Sequence, residues 1–362
     1  MTRTFDIPIG PLHVALEEPM YFKVSVEGET IAGLELFAGH VHRGIEYLTA
    51  KRNIYQNLVL LEHVCSLCSN SHPETFAMAI ETIAGIQVPP RAHYLRMVTD
   101  EIKRIASNMF NVAILAHLIG FDSMFMHVMQ AREIMQDTKE TIFGNRMDIA
   151  AHIIGGVRYD LTAESTAFLL GQLDRLEPIL RKEIIPVYAK NRTILSRTRG
   201  IGLISRDECI DYGLAGPTAR GSGVAYDVRS AAPYAAYGDI DFQLESMPDG
   251  DVWSRAMVRL HEALASIGIL RECVRRLPPG PVSSGPLPHI PAGEAIARTE
   301  APRGELLYYV KMVGTDVPDR VRCRVPSYMN WEALTVMMRG ARISDIPLIV
   351  NSIDPCVSCT ER

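Results

Sequence analysis

Cys65-Ser66-Leu67-Cys68 and Asp354-Pro355-Cys356-Val357-Ser358-Cys359-Thr360-Glu361-Arg362 are the two stretches that decide how this chain folds. Each carries two cysteines three residues apart, a spacing at which a single turn presents two thiolates to one metal centre. Together they offer four sulfur ligands, a soft set that selects zinc, nickel or iron. Nearly the whole protein lies between the pairs. Zinc ribbons keep their pairs close in sequence because the metal organises a small local fold. Here the metal would instead sit where the two ends of a large domain meet. Disulfides are disfavoured, since the N-terminus lacks a secretory segment and the cysteines number an odd seven. Cys209, Cys273 and Cys323 have no CxxC partner and read as small core residues. The spacing leaves the identity of the metal open, and a structural zinc is the commonest use of such a set.

The rest of the composition fits a large folded core. Of 362 residues, 47% are hydrophobic and 22% charged, enough for one big domain or two intimately packed parts. The formal net charge of −5 gives no sign of nucleic-acid binding. No apolar run reaches the length of a membrane span and the N-terminus is not a signal peptide. The expectation is a chain made in the cytoplasm that reaches the cytoplasmic face of the membrane only through partners.

The expected fold is mainly α: a central bundle of long helices, with a small α+β region formed by the N- and C-terminal segments. Residues 1–49 read as a β-containing segment, with alternation over Phe22-Lys23-Val24-Ser25-Val26 and a turn at Glu27-Gly28-Glu29. Residues 50–276 read as the bundle. A helical pattern over about 50–85 contains Cys65 and Cys68, and Pro89-Pro90 breaks it. Helices follow over Arg91–His117, 121–142, 163–192 and 251–276, by apolar recurrence at three- and four-residue steps. Residues 277–362 begin as a Pro- and Gly-rich loop to about 293. Strands then run over Glu305–Val313 and Arg320–Val325, and a helix from Trp331 to about Arg339. The three segments are expected to pack as one domain that brings the cysteine pairs together.

The surroundings of the two pairs narrow the reading. Arg43-Gly44-Ile45-Glu46 precedes the first pair, His72 follows it, and Asp-Pro-Cys-x-x-Cys closes the chain. Further motifs are Gly10-Pro11-Leu12-His13 through Leu16-Glu17-Glu18-Pro19, Gly216-Pro217-Thr218-Ala219-Arg220-Gly221-Ser222-Gly223 and Glu300-Ala301-Pro302-Arg303-Gly304-Glu305. In combination these resemble the large, catalytic subunit of NiFe hydrogenases. Their style is similar to the energy-converting, membrane-bound Ech and CO-induced types, which are relatives of the complex I quinone-site subunit. The resemblance covers essentially the whole chain.

The resemblance implies that Cys65, Cys68, Cys356 and Cys359 bind nickel. Cys68 and Cys359 would bridge to an iron that carries CO and cyanide, while Cys65 and Cys356 would be terminal, with Cys356 a proton acceptor. Arg303 would stand over the open metal position. Pro302 and Ser327 would line the pocket for the iron's diatomic ligands. Glu18, with Glu17 beside it, would be the first proton relay, and His72 would hydrogen-bond a bridging thiolate from the same helix face. His13 is a candidate for the proton route or for a partner surface; His40, His42 and His63 have no assigned role. Implied partners are a small subunit with a proximal [4Fe-4S] cluster, further iron-sulfur subunits and membrane ion-translocating subunits, with electrons from ferredoxin or from a CO-oxidising enzyme through ferredoxin-like iron-sulfur partners.

Three departures from that pattern stand out: Ser66 in place of glycine, Val14 in place of proline, and Arg362 in place of a terminal histidine that helps hold a magnesium or iron ion. Arg362 is expected to take that ion's place and pair with Glu46. The chain stops three residues after Cys359, which implies either a processed form or one that never encoded a C-terminal extension. The alternatives are a complex I-like quinone-site subunit without nickel, whose relatives have generally lost the four cysteines, and a structural zinc protein that serves in assembly.

Overall fold

A computed structural model describes residues 4–362. Strands β1 (Thr4–Ile9), β2 (Tyr21–Glu27) and β3 (Thr30–Phe37) form an antiparallel meander. Phe22, Val24 and Val26 alternate inward along β2 and are fully buried, as the period of two requires. Helices α1 (Ile45–Thr49), α2 (Ile54–Glu62), α3 (Ser71–Ala84), α4 (Pro90–Ile119) and α5 (Asp122–Phe143) follow. Pro90 occupies the first turn of α4, where its missing N–H costs no hydrogen bond, and Gly120 ends the helix in the left-handed region at φ 85°.

A two-stranded hairpin, β4 (His152–Ile153) and β5 (Gly156–Val157), leads to α6 (Ala163–Ile179) and α7 (Ile185–Lys190). Four short helices come next: α8 (Arg192–Thr198), α9 (Arg206–Asp211), α10 (Gly216–Arg220) and α11 (Val228–Ala231). The long α12 (Val252–Arg276) closes the helical part. A second antiparallel meander, β6 (Ala292–Ala301), β7 (Gly304–Val313) and β8 (Arg320–Arg324), precedes α13 (Pro326–Asn330), α14 (Leu334–Met337), α15 (Ile346–Ser352) and α16 (Val357–Thr360).

The architecture is mixed: long helices with two three-stranded sheets that pack in different places. The N-terminal sheet shares one apolar core with α4, α5, α6, α12 and the segment from Trp331 to Val357. The C-terminal sheet shares a second core with α2 and α3, and all four CxxC cysteines belong to that core. The two chain ends therefore do not build a single small sheet. The N-terminal sheet meets the C-terminal part at an edge bridge between Thr30 and Arg342.

Four further expectations are corrected. The helix over 50–85 is two helices, and Cys65 and Cys68 lie in the loop between them. The stretch 163–192 is interrupted by a π-turn at Leu180–Ile184, between Pro178 and Pro186, whose rings lack the donors a continuous α-helix needs. Residues 292–301, partly assigned to the Pro- and Gly-rich loop, form β6. The helix expected from Trp331 to Arg339 is the single turn of α14.

Charge is buried at the centre of the molecule. On α4, Arg96, Asp100, Glu101, Lys103 and Arg104 are all at most 4% exposed. Ion pairs and hydrogen bonds satisfy most of them. Glu101 accepts from Arg229, Ser266 and Tyr237. Arg104 donates to the carbonyls of Glu300 and Ala301, at 2.5 and 3.2 Å. Arg220 of α10 reaches Glu262 at 2.6 Å and Glu300 at 2.8 Å. These contacts lock the end of β6 into the helical core, so the tight turn that follows, Pro302-Arg303, is held inside the molecule.

Candidate metal centre

The four cysteines of the two CxxC pairs converge. None is more than 8% exposed and none is disulfide-bonded. Cys68 Sγ and Cys359 Sγ are 3.4 Å apart. The sulfurs of Cys65, Cys68 and Cys359 lie within 4.8 Å of one another, and Cys356 interacts with all three of the others. Such a cluster resists becoming fully ionised. Hydrogen bonds from Cys356 first, then Cys359 and Cys65, hold Cys68 well below the ordinary thiol range, while Cys356 first, then Cys65 and Cys68, push Cys359 well above it. A cation entering among them would remove that conflict, so the donor set fits a soft metal centre.

Each side of the centre is fixed by the fold. Lys103 of α4 shapes the loop with Cys65 and Cys68, donating to Ser66 O, Ser69 Oγ and Met147 O at 2.8, 2.8 and 2.7 Å. Burial brings its pKa down to about 8, against the opposing pull of the Cys68 and Cys65 thiolates. Cys356 caps the last helical turn and Cys359 lies within it. Cys356 N–H donates to Ser327 Oγ at 3.1 Å, and Cys359 N–H donates to Cys356 Sγ at 3.3 Å. Arg43 ties the two halves together through Val64 O at 2.7 Å and Ser358 O at 3.2 Å.

His72 stands in the first turn of α3 and Cys68 in the loop before it, so they do not share a helix face as expected. They still meet: His72 Nε2 is 3.7 Å from Cys68 Sγ and 3.3 Å from Cys359 Sγ. The other ring nitrogen is 2.7 Å from the Tyr308 hydroxyl, which fixes the ring.

Arg303 is 3% exposed. Its Nε donates to Asp354 O at 2.9 Å, Nη2 to Asp354 Oδ1 at 2.8 Å and Nη1 to Ser107 Oγ at 3.2 Å. Asp354 has φ 52°, an uncommon conformation for a residue with a side chain, and the two bonds from Arg303 hold it there. Pro302 is buried in the same turn. With Cys65 and Cys356, Arg303 lines a cavity of about 470 Å³ that also meets Glu17, Glu18 and His63.

Glu18 reaches the cysteine turn directly. Its carboxylate accepts from Val357 N at 2.6 Å and Ser358 N at 3.0 Å, and from the Ser358 hydroxyl. Glu17 retains solvent contact. The dense protein around it first, and the Asp354 charge second, push its pKa up to about 7. Arg362 pairs with Glu46, Nε to Oε1 at 3.2 Å, and Arg322 binds the other carboxylate oxygen. His13 lies in an exposed loop.

Sequence reasoning missed Tyr308, Lys103 and Asp354 here, because each acts across more than thirty residues of sequence or on a strand with no motif of its own. Asp354 alone left a signal, its place in the Asp-Pro-Cys frame. Cys209 and Cys273 are buried in the other core and Cys323 lies behind Tyr308, and burial pushes their thiols up, that of Cys209 to about 11 and that of Cys323 to about 12. They are neutral core residues.

The Arg303 turn depends on Gly216. This glycine has φ 64°, and a Cβ built on it would stand 2.1 Å from Arg303 O. Gly216→Ala is expected to cost about 2–4 kcal/mol, from the left-handed backbone and the overlap together. A thermal melt that matched the wild type would show that the turn can move aside.

A family model described as the 49 kDa subunit of respiratory-chain NADH dehydrogenase matches residues 119–288 and 286–362. The sequence is 68% identical over 359 residues to the carbon monoxide-induced hydrogenase of Rhodospirillum rubrum, covering 99% of each chain. It is 34% identical to the membrane-bound hydrogenase subunit alpha of Pyrococcus furiosus, over 98% of this chain and 87% of that one. Among solved structures, a chain of a membrane-bound sulfane sulfur reductase, an archaeal respiratory membrane complex, superposes with a TM-score of 0.93 at 30% identity. The match covers 99% of this chain and 98% of that one.

Proposed function

This chain belongs to the family of the respiratory-chain NADH dehydrogenase 49 kDa subunit, and from that premise we propose that it is the hydrogen-activating subunit of an energy-converting NiFe hydrogenase. The reaction is 2 H⁺ + 2 e⁻ ⇌ H2. The observation that carries the proposal is the meeting of all four CxxC thiols beside a cavity that Arg303 also lines. Two relatives, a carbon monoxide-induced hydrogenase and a membrane-bound hydrogenase subunit, agree with it.

Cys65, Cys68, Cys356 and Cys359 would hold nickel, with Cys68 and Cys359 shared with an iron bearing CO and cyanide. That centre supplies the two-electron chemistry of dihydrogen. The protein's own part is positional. Arg303, kept charged by Asp354, sets a fixed cation at the cavity wall. Pro302 shares the turn of Arg303, Ser327 accepts from Cys356 N–H, and His72 Nε2 lies 3.3 Å from Cys359 Sγ, where it would steady the thiolates that hold the metals. The thiolate of Cys356 takes a proton and Glu18 passes it toward solvent. Glu18→Gln is therefore expected to keep its metal content and to slow H2/D2O exchange by about 10²–10⁴. Exchange at the wild-type rate would remove Glu18 from the route.

Electrons would arrive from a small subunit with a proximal [4Fe-4S] cluster, fed by further iron-sulfur subunits and ferredoxin. Among the described residues, no cysteine cluster other than this centre could hold such a group. No helix among them is long and apolar enough to cross a membrane, so coupling to ion movement would rest with membrane subunits.

The deciding experiment is metal analysis with infrared spectroscopy on the anaerobically purified complex. About one nickel and one iron per chain, with bands of metal-bound CO and cyanide, is the expected result. Zinc alone without those bands, persisting after nickel maturation factors are supplied, would point to a structural site. No bound metal at all would favour a quinone-site subunit.

A further inference from the structure

A second group of ligand-type side chains lies outside the thiol set. Glu74 of α3, Asp100 of α4 and His152 of β4 place one ligand atom each within 4.8 Å of one another. They are 0%, 4% and 4% exposed. Buried polar atoms are almost always hydrogen-bonded, yet both ring nitrogens of His152 have no partner, and the Glu74 oxygens and Asp100 Oδ2 have none beyond each other. Oδ1 of Asn70 is also unpartnered, while its Nδ2 donates to Asp100 Oδ1 at 2.5 Å. A bare imidazole facing two carboxyl groups, in a region closed to solvent, is costly to leave unsatisfied.

We propose that Glu74, Asp100 and His152 form a second metal site, for one divalent cation of the zinc, manganese or iron(II) class. Two carboxylates and one imidazole suit that class, whose members take mixed nitrogen and oxygen ligands. Charge supports it as well. Arg96 is neutralised by Glu81, at 2.6 Å, and Arg104 by Glu101, at 3.3 Å. In their ionised forms Glu74 and Asp100 carry two negative charges that these arginines do not cancel, and a divalent cation would displace their protons and balance both. Burial first, then the charge of Asp100, raises Glu74 well above the carboxylate range, and burial raises Asp100 to about 7. Burial and Arg96 keep His152 well below its usual range, as the neutral imidazole that ligates metals.

The frame around the cluster is rigid. Arg96 Nη2 donates to Ile153 O at 3.1 Å and Gly156 O at 3.2 Å, and Gly155 N donates to Glu81 Oε1 at 2.7 Å. The β4–β5 hairpin is thereby bolted to both α3 and α4, and His152 is set before any ion arrives. The role that follows is structural: the cation would clamp the hairpin and two helices next to the loop that carries Cys68.

The test uses the full chain with the thiol pair removed, Cys65→Ser/Cys68→Ser, produced in medium containing zinc, manganese and iron and dialysed against a chelator. Elemental analysis is expected to find about one divalent metal per chain. X-ray absorption at its edge should show nitrogen and oxygen neighbours and no sulfur. Adding Asp100→Asn or His152→Gln should remove that metal. Diffraction from the intact wild-type protein gives a reading independent of any variant's folding: an anomalous peak among the three side chains is expected at the edge of the metal found. Absence of both the metal and the peak would overturn the site, leaving a shared proton or a buried water there. Metal content unchanged by Asp100→Asn and His152→Gln would overturn it too. Neither result bears on the nickel and infrared test of the thiol centre, so the two readings fail separately.

Discussion

Cys359→Ser is expected to lose hydrogen evolution down to the assay background and to lose nickel with it. The residue is tied into the centre from three sides. Its sulfur is 3.4 Å from Cys68 Sγ and 3.3 Å from His72 Nε2, and its N–H donates to Cys356 Sγ at 3.3 Å. A serine hydroxyl is a hard donor with a pKa far above that of a thiol, so it supplies neither the softness nor the charge that holds nickel. The fold should survive, because Cys359 sits in the final turn and the core around it is made by β6, β7 and α3. Nickel content by elemental analysis and hydrogen evolution from a low-potential donor are the measurements. Wild-type nickel with wild-type activity in this variant would refute the assignment of Cys359 as a bridging ligand.

What could be read from the sequence follows physical range. The cysteine pairs announce themselves because a three-residue spacing is local, and the helices over 91–117 and 251–276 because apolar recurrence is local too. The β6 strand is hidden for the opposite reason. Its opening, Ala292-Gly293-Glu294-Ala295, is made of poor strand formers, and pairing with β7 from Ala292–Val313 to Ala301–Gly304 overrides that preference. The loop that carries Cys65 and Cys68 is hidden because the apolar pattern runs through it, while the lysine that shapes it, Lys103, lies a full helix away.

The buried charges mislead in the same way. Arg96, Asp100, Glu101, Lys103 and Arg104 look from sequence like a solvated helix face. Their partners Glu81, Tyr237, Arg229, Glu300 and Ser66 come from five different segments. No local pattern encodes those meetings. The motifs around Gly216, Arg220, Glu300 and Arg303 gain their physical meaning only in three dimensions. Arg220 grips Glu300, Gly216 admits the Arg303 backbone, and Arg303 holds Asp354 in the turn that delivers Cys356.

Arg303→Lys is expected to lower hydrogen evolution by about 10²–10³ with nickel and iron content unchanged. The substitution keeps the charge, so it tests geometry. Arg303 makes three bonds at once, two of them a fork that takes the carbonyl and the carboxylate of Asp354. Lysine carries one ammonium on a flexible stem and cannot reproduce that fork. Its charge would settle nearer the carboxylate and away from the cavity, where a displacement of even an ångström is costly. Asp354 would lose part of its partnership in a buried site, with Arg259 Nε at 3.9 Å as the remaining cation, and stability should fall by about 1–3 kcal/mol. The separating measurement is activity per nickel. A drop smaller than tenfold would show that the charge alone matters, and a parallel loss of nickel would recast Arg303 as part of the scaffold that holds the Asp-Pro-Cys turn.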